Sequence, residues 1–182
     1  MKKAAVVAVS PSRCKMQKNH FEQFLLPVKF QIDLSELEKK YFALQSQFHP
    51  DVSKIEDIET SIAINEAYKI LADDFRRACY LLLLAGIDIK NDEKAVRPDF
   101  STLEEVLELQ EKIAEISDKS AIAELKKKLD GEVQQLILQA MKHLEDARIE
   151  TSAQILVKAK YLKKSLEDLK IRKQALRQAR GD

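Results

Sequence analysis

Three consecutive residues carry the clearest chemical signal in this chain: His49, Pro50 and Asp51, directly after the aromatic Phe48. Pro50 fixes its own φ and stiffens a loop that must hold a shape. Asp51 offers a carboxylate that can accept a charge-assisted, two-pronged bond from a partner's arginine. His49 adds an imidazole that hydrogen-bonds in either charge state. A plainer role is open to the bare tripeptide as well: His49 closing one helix and Asp51 capping the next. A catalytic dyad has no support. Ser46 and Ser53 lie nearby, but nothing around them forms an oxyanion hole. His20, His49 and His143 fall in three separate elements, and Cys14 and Cys79 are far apart, so no metal-ligand set or CxxC pair results. No GxGxxG or GxxxxGK run is present to cradle a phosphate. The reading is a non-enzyme with no catalytic residue, no metal and no cofactor, whose chemistry is recognition.

The elements that must hold this loop are helical. Asp33 and Glu36 have capping-box spacing, and Leu37, Tyr41, Leu44 and Phe48 follow as one apolar stripe that Pro50 ends. After the loop His49 to about Glu56, a second helix is expected from about Asp57 to Ala72. Its inward residues are Ile58, Ile62, Ala63, Ala67, Ile70 and Leu71. The two should form an antiparallel hairpin. A short segment, Asn19–Leu26, precedes them and stops at Pro27, and a third helix runs from about Asp73 to Gly86, a good residue just past a helix end. Residues 91–100 read as a linker with Pro98. Ser101 and Glu104 then look like a second capping box, and Val106, Leu109, Ile113 and Ile116 form a seam. Two longer helices follow, at about 117–147, interrupted only by Gly131, and about 151–179. The expected fold is all-α and L-shaped: a helical hairpin unit over 19–90 and an antiparallel three-helix bundle over 101–180.

Composition agrees. In 182 residues there are only 3 Gly and 4 Pro, too few for a turn-rich β fold. The 45% hydrophobic content argues for a packed core. A net charge of +1 lacks the basic excess of a nucleic-acid binder. The longest apolar run, Tyr80–Ala85, is far too short to span a bilayer. Residues 1–18 differ from the rest: Lys2, Lys3, Arg13, Lys15 and Lys18 appear with no acid, around the apolar run Ala4–Val9. A disordered basic leader is the expectation, with a targeting segment or an over-extended start before Met16 as alternatives.

The tripeptide's neighbours sharpen its meaning. The helix after it carries Ile64-Asn65-Glu66-Ala67-Tyr68-Lys69-Ile70-Leu71, and Arg77-Ala78-Cys79-Tyr80-Leu81-Leu82 follows. In this combination the chain resembles the J-domain of DnaJ-type co-chaperones. Together with the C-terminal bundle, it resembles the HscB family of iron–sulfur cluster assembly over about residues 19–178. The resemblance implies two partners: an HscA/DnaK-class chaperone ATPase and an IscU-type scaffold. It assigns the first to His49, Pro50 and Asp51 with a basic face of Lys39, Lys40 and Lys69. That face is thin, because Gln45, Ser46 and Gln47 nearest the loop are uncharged. It assigns the second to Leu103, Glu104, Leu107, Glu108, Glu111, Glu115 and Tyr161. Relatives usually have methionine where Glu104 stands.

A helical projection puts those glutamates opposite the seam, with Leu107 at their edge and Leu103 on the same flank. Leucines bordered by glutamates fit a partner surface, apolar in the middle and charged at the rim. The same pattern also fits leucines in the bundle core with glutamates facing water. Residues 91–118 hold 9 acids and 3 bases, whereas 158–180 hold 9 bases and 2 acids, so antiparallel neighbours are expected to pair along their rims. A monomer is expected, with neither nucleic acid nor membrane as partner, in the bacterial cytoplasm (mitochondrial if the leader is a targeting segment). Two other readings stand: a helical adaptor without chaperone coupling, and a general J-protein for unfolded clients.

Overall fold

A computed structural model describes residues 19–47, 55–89 and 96–180. The described chain runs α1 (His20–Gln23), α2 (Leu34–Gln47), α3 (Ile55–Ala72), α4 (Asp74–Leu84), α5 (Phe100–Glu115), α6 (Lys119–Glu145) and α7 (Ile149–Arg180).

Local chemistry sets the boundaries. Asn19 and Glu22 form a reciprocal capping box at the start of α1. The Asp33 carboxylate accepts from the amides of Ser35 and Glu36, but the Glu36 carboxylate is paired with Lys40 at 2.6 Å. Asp73 caps α4, where its carboxylate accepts from the Arg76 amide at 2.7 Å. At the far end Gly86 has φ 101°, and the amides of Gly86 and Ile87 bond back to the carbonyls of Leu83 and Leu82. That double bond needs a left-handed residue, which glycine adopts without strain.

The N-terminal unit closes over Phe21, Phe24, Leu26 and Phe30, all at most 8% exposed. Burial of each contributes about 1.5–3 kcal/mol before chain entropy is counted. α2 and α3 are antiparallel, because Tyr41 stacks on Tyr68 at 4.1 Å while Gln45, further along α2, meets Asn65 and Ser61. Tyr41 donates its hydroxyl proton to Asn65 at 2.7 Å. The inward face of α3 is therefore Ile64, Ala67 and Leu71, with Asn65 and Tyr68 at its edge. Ile58 and Ile62, expected inward, are 44% and 60% exposed. Apolar residues surround much of this helix, so spacing alone did not select a face; the packing of α1, α2 and α4 did.

α6 and α7 form the principal hairpin of the C-terminal bundle, and α6 runs unbroken through Gly131. α5 lies along α7. Glu105 of α5 pairs with Lys158 at 2.5 Å, and the Ile116 carbonyl accepts from Arg172 at 2.9 Å. Both indices rise together, so α5 and α7 are parallel, not antiparallel as the charge pattern implied. The first and third helices of an up-down-up bundle must be. No Cα atom of α5 lies within 8 Å of one in α6. An open groove separates them, with Lys112, Ile116, Ala121 and Leu125 among its walls.

α4 joins the two units. Its Arg77, Ala78, Cys79, Leu81 and Leu82 are buried, and it packs on α3, α6 and α7. Arg77 is only 4% exposed. Its guanidinium donates to the Phe30 carbonyl at 2.9 Å, to the Leu71 carbonyl and to Asp74, and lies over the Phe30 ring at 4.9 Å. Replacing it orphans two carbonyls at about 1–3 kcal/mol each. Arg77→Met is expected to lower the urea-unfolding free energy by about 3 kcal/mol, and Arg77→Lys by nearly as much, since an ammonium lacks the fork. A loss under about 1 kcal/mol in both would contradict the clamp.

Candidate interaction surfaces

His49, Pro50 and Asp51 lie outside the described residues. The two helices that lead into and out of that loop are described. On α2, Lys39 is exposed, and Phe42, one turn on, is 58% exposed on the same outer face. Phe42 escaped the sequence reading because it is out of phase with the buried stripe. Lys40 is placed differently from Lys39. Its ammonium bonds to Glu36 at 2.6 Å and to the Leu25 carbonyl at 3.1 Å, tying the α1 end to α2. Lys69 is exposed, in a shallow groove with Ile62, Asn65, Glu66 and Arg76, next to the Tyr68 that stacks on Tyr41. Of the two lysines on α2, only Lys40 is thus tied to its neighbours.

The second surface is on α5. Its N-cap is Asp99, not Ser101, and Phe100 is its first residue, not the end of a linker. Asp99 is extended at φ −71°, ψ 167°, and its carboxylate accepts from the Thr102 amide at 2.8 Å. An aspartate after a proline makes the stronger cap, since its charge also meets the positive end of the helix. Bonds from the Thr102 side chain and amide hold the Asp99 carboxyl below its ordinary value.

This start brings a third apolar residue into register. Phe100, Leu103 and Leu107 follow at spacings of three and four and are 80%, 46% and 59% exposed. Glu104, Glu108, Glu111 and Glu115 stand exposed along one side of that stripe. Thr102, Val106, Leu109 and Ile113 are the buried face, so the leucines in question are not core. Among the described residues none of these four glutamate side chains is in an ion pair or hydrogen bond. Tyr161 is half-buried on α7, in a groove between α7 and the start of α4 that it shares with Asp73, Phe75 and Lys163. Lys163 sits over the Phe75 ring at 4.8 Å.

Comparisons with known proteins bear on both units. Residues 23–80 match the DnaJ domain family, and residues 98–170 match the family described as the HSCB C-terminal oligomerisation domain. The co-chaperone protein HscB homolog of Psychromonas ingrahamii is 33% identical, over 80% of this chain and 91% of its own length. That of Vibrio atlanticus is 32% identical, over 70% of this chain and 78% of its own. This chain belongs to the HscB co-chaperone family. The solved structure of chaperone HscB from Vibrio cholerae is 28% identical, with a TM-score of 0.75 over 87% of this chain and 99% of that one. Human co-chaperone protein HscB superposes with a TM-score of 0.78 at 27% identity, over 88% of this chain and 84% of that one.

As an HscB-family member the chain is all-α, with a J-domain followed by a C-terminal helical bundle. Among the described residues no group of three His, Cys, Asp or Glu side chains could hold a metal ion, and no helix is long and apolar enough to cross a membrane. The α5 start has a direct test. By carboxyl NMR, Asp99 is expected to titrate below an ordinary aspartate, and Thr102→Val should move it upward. Its stabilisation of α5 is present above the unfolded aspartate pKa and lost as pH falls through the lowered folded value. An unchanged titration in Thr102→Val would contradict the side-chain bond from Thr102.

Proposed function

We propose that this chain is a co-chaperone in iron–sulfur cluster biogenesis. Its α5 face captures an IscU-type scaffold, and its His49-Pro50-Asp51 loop engages an HscA/DnaK-class chaperone and stimulates ATP hydrolysis there. Catalysis belongs to the chaperone. The co-chaperone acts by binding the chaperone arrangement that hydrolyses, which shifts its population. The bacterial cytoplasm is the compartment that goes with this reading.

The observation that carries the proposal is the exposed stripe Phe100, Leu103 and Leu107 beside four unpaired glutamates, on a bundle packed against the J-domain. Isolated exposed apolar residues mean little, but a phenylalanine and two leucines in helical register support the reading of a partner site. Large side chains that lose water at the centre supply affinity, and the charged rim supplies orientation and encounter rate. Glu104 is exposed at the rim, so it is not penalised in the free protein. On α2, Lys39 and Phe42 extend the chaperone surface, while Lys40 contributes mainly by holding α1.

Steady-state ATP hydrolysis by an HscA-class chaperone, with IscU present, tests the J-domain half. Wild type is expected to stimulate. Asp51→Asn keeps the side-chain size but loses the charge that pairs with arginine. Losing one member of such a pair costs about 2 kcal/mol or more, a loss of at least tenfold in stimulation at equal concentration and unchanged helicity. Equal stimulation by the two proteins would contradict the assignment of Asp51.

A further inference from the structure

The α5 stripe has a second candidate occupant within the same chain. Residues 1–18 hold five bases and no acid, with the apolar run Ala4–Val9 between Lys3 and Arg13. The α5 face offers the complement: Phe100, Leu103 and Leu107, bordered by Glu104, Glu108, Glu111 and Glu115, with Lys112 on the side of that acidic row away from the leucines.

Reach permits the match. The His20 amide donates to the Tyr80 hydroxyl at 3.0 Å, and the His20 ring shares a small cavity with Asp88. The next residue, Ile89, accepts at its carbonyl from Lys160 at 3.1 Å. Two positions earlier on α7, Lys158 pairs with Glu105 of α5 at 2.5 Å. The leader thus joins the described chain beside α4, which packs on α7, the helix along which α5 lies. Ten residues, Val9 to Asn19, extend to about 33 Å. A short tether also raises the local concentration of the leader to the millimolar range, so even a weak contact is well populated.

We propose that the basic leader, residues 1–18, docks on the acidic, leucine-bearing face of α5 in its own chain. The apolar run lies over Phe100, Leu103 and Leu107, with its flanking bases beside the glutamates. The docking stands on this geometry alone. Its consequence, that an IscU-type scaffold must displace the leader, rests on the proposed function. The leader would then act as an intramolecular competitor that rejects weak partners and yields to one with a larger complementary surface.

The leader carries its own probe position, Cys14, while Cys79 is buried at 5% exposure. A nitroxide on Cys14 of the full-length ¹⁵N-labelled chain reports which amides the leader approaches. At low salt, broadening is expected at Leu103, Leu107 and Glu108, and not at Leu138, which is exposed on α6. At roughly 0.5 M salt the Debye length falls to about 4 Å, and the α5 broadening should fall severalfold. Glu104→Gln/Glu108→Gln/Glu111→Gln should reduce it likewise at low salt. These positions are exposed, so the fold is retained, which circular dichroism checks. Broadening confined to residues 19–26 and their neighbours would overturn the proposal. So would α5 broadening indifferent to salt and to the glutamine variant. A mixture of nitroxide-labelled ¹⁴N chain and unlabelled ¹⁵N chain must show none; broadening there would assign the face to a second copy and overturn intramolecular docking. None of these outcomes involves IscU, so failure here leaves the scaffold reading to its own test.

Discussion

One buried arginine organises the N-terminal half. Arg77 reaches the segment after α1, the end of α3 and the start of α4, and its guanidinium donates to each. A charge taken out of water is expensive unless its donors are satisfied. Here a half-exposed carboxylate, two carbonyls and the Phe30 ring satisfy it. The planar fork suits three acceptors in different directions, which an ammonium on a flexible stem does not. Once Arg77 is seated, the turn between α3 and α4 has little freedom. The face of α4 that carries Ala78 and Leu82 is then presented to its neighbours at 0% exposure.

That presentation couples the two halves. α4 is packed on α3 within the J-domain and on α6 and α7 of the bundle. Polar contacts pin the same junction: Lys163 lies 3.7 Å from Asp73, and Lys160 bonds to the Ile89 carbonyl. The apolar run Tyr80–Leu84 is what a helix needs when partners lie on several sides, not a membrane signal. α5 is held more lightly. It meets α7 by one face and leaves the groove toward α6 open. That leaves its outer face free for a partner.

Much of this was legible in the sequence, for reasons that differ by element. The seam Val106, Leu109 and Ile113 and the buried Leu37 followed from period alone, because each helix has one strongly apolar face. Ile58 and Ile62 misled, because α3 is apolar around much of its circumference and only packing chooses among the faces. Ser101 and Asp99 are both good caps two residues apart. Choosing the nearer one hid Phe100, and with it a third of the exposed stripe. Lys39 and Lys40 are neighbours of one charge, yet Leu25 and Glu36 hold only Lys40. A pattern cannot show that, since the Leu25 carbonyl comes from another element. Arg77 marked the family in the sequence, but its clamp also needs the Phe30 carbonyl, 47 residues away along the chain.

The central claim is that one protein carries two separable recognition surfaces, joined through α4. Calorimetric titration of IscU into wild type, Leu107→Lys and Asp51→Asn tests it most directly. Leu107 is 59% exposed, so the lysine leaves the fold intact. A desolvated leucine at a contact centre is worth about 1.5–3 kcal/mol, so Leu107→Lys should weaken binding by at least tenfold. Asp51→Asn should bind IscU as wild type does. Wild-type affinity in Leu107→Lys would contradict the account.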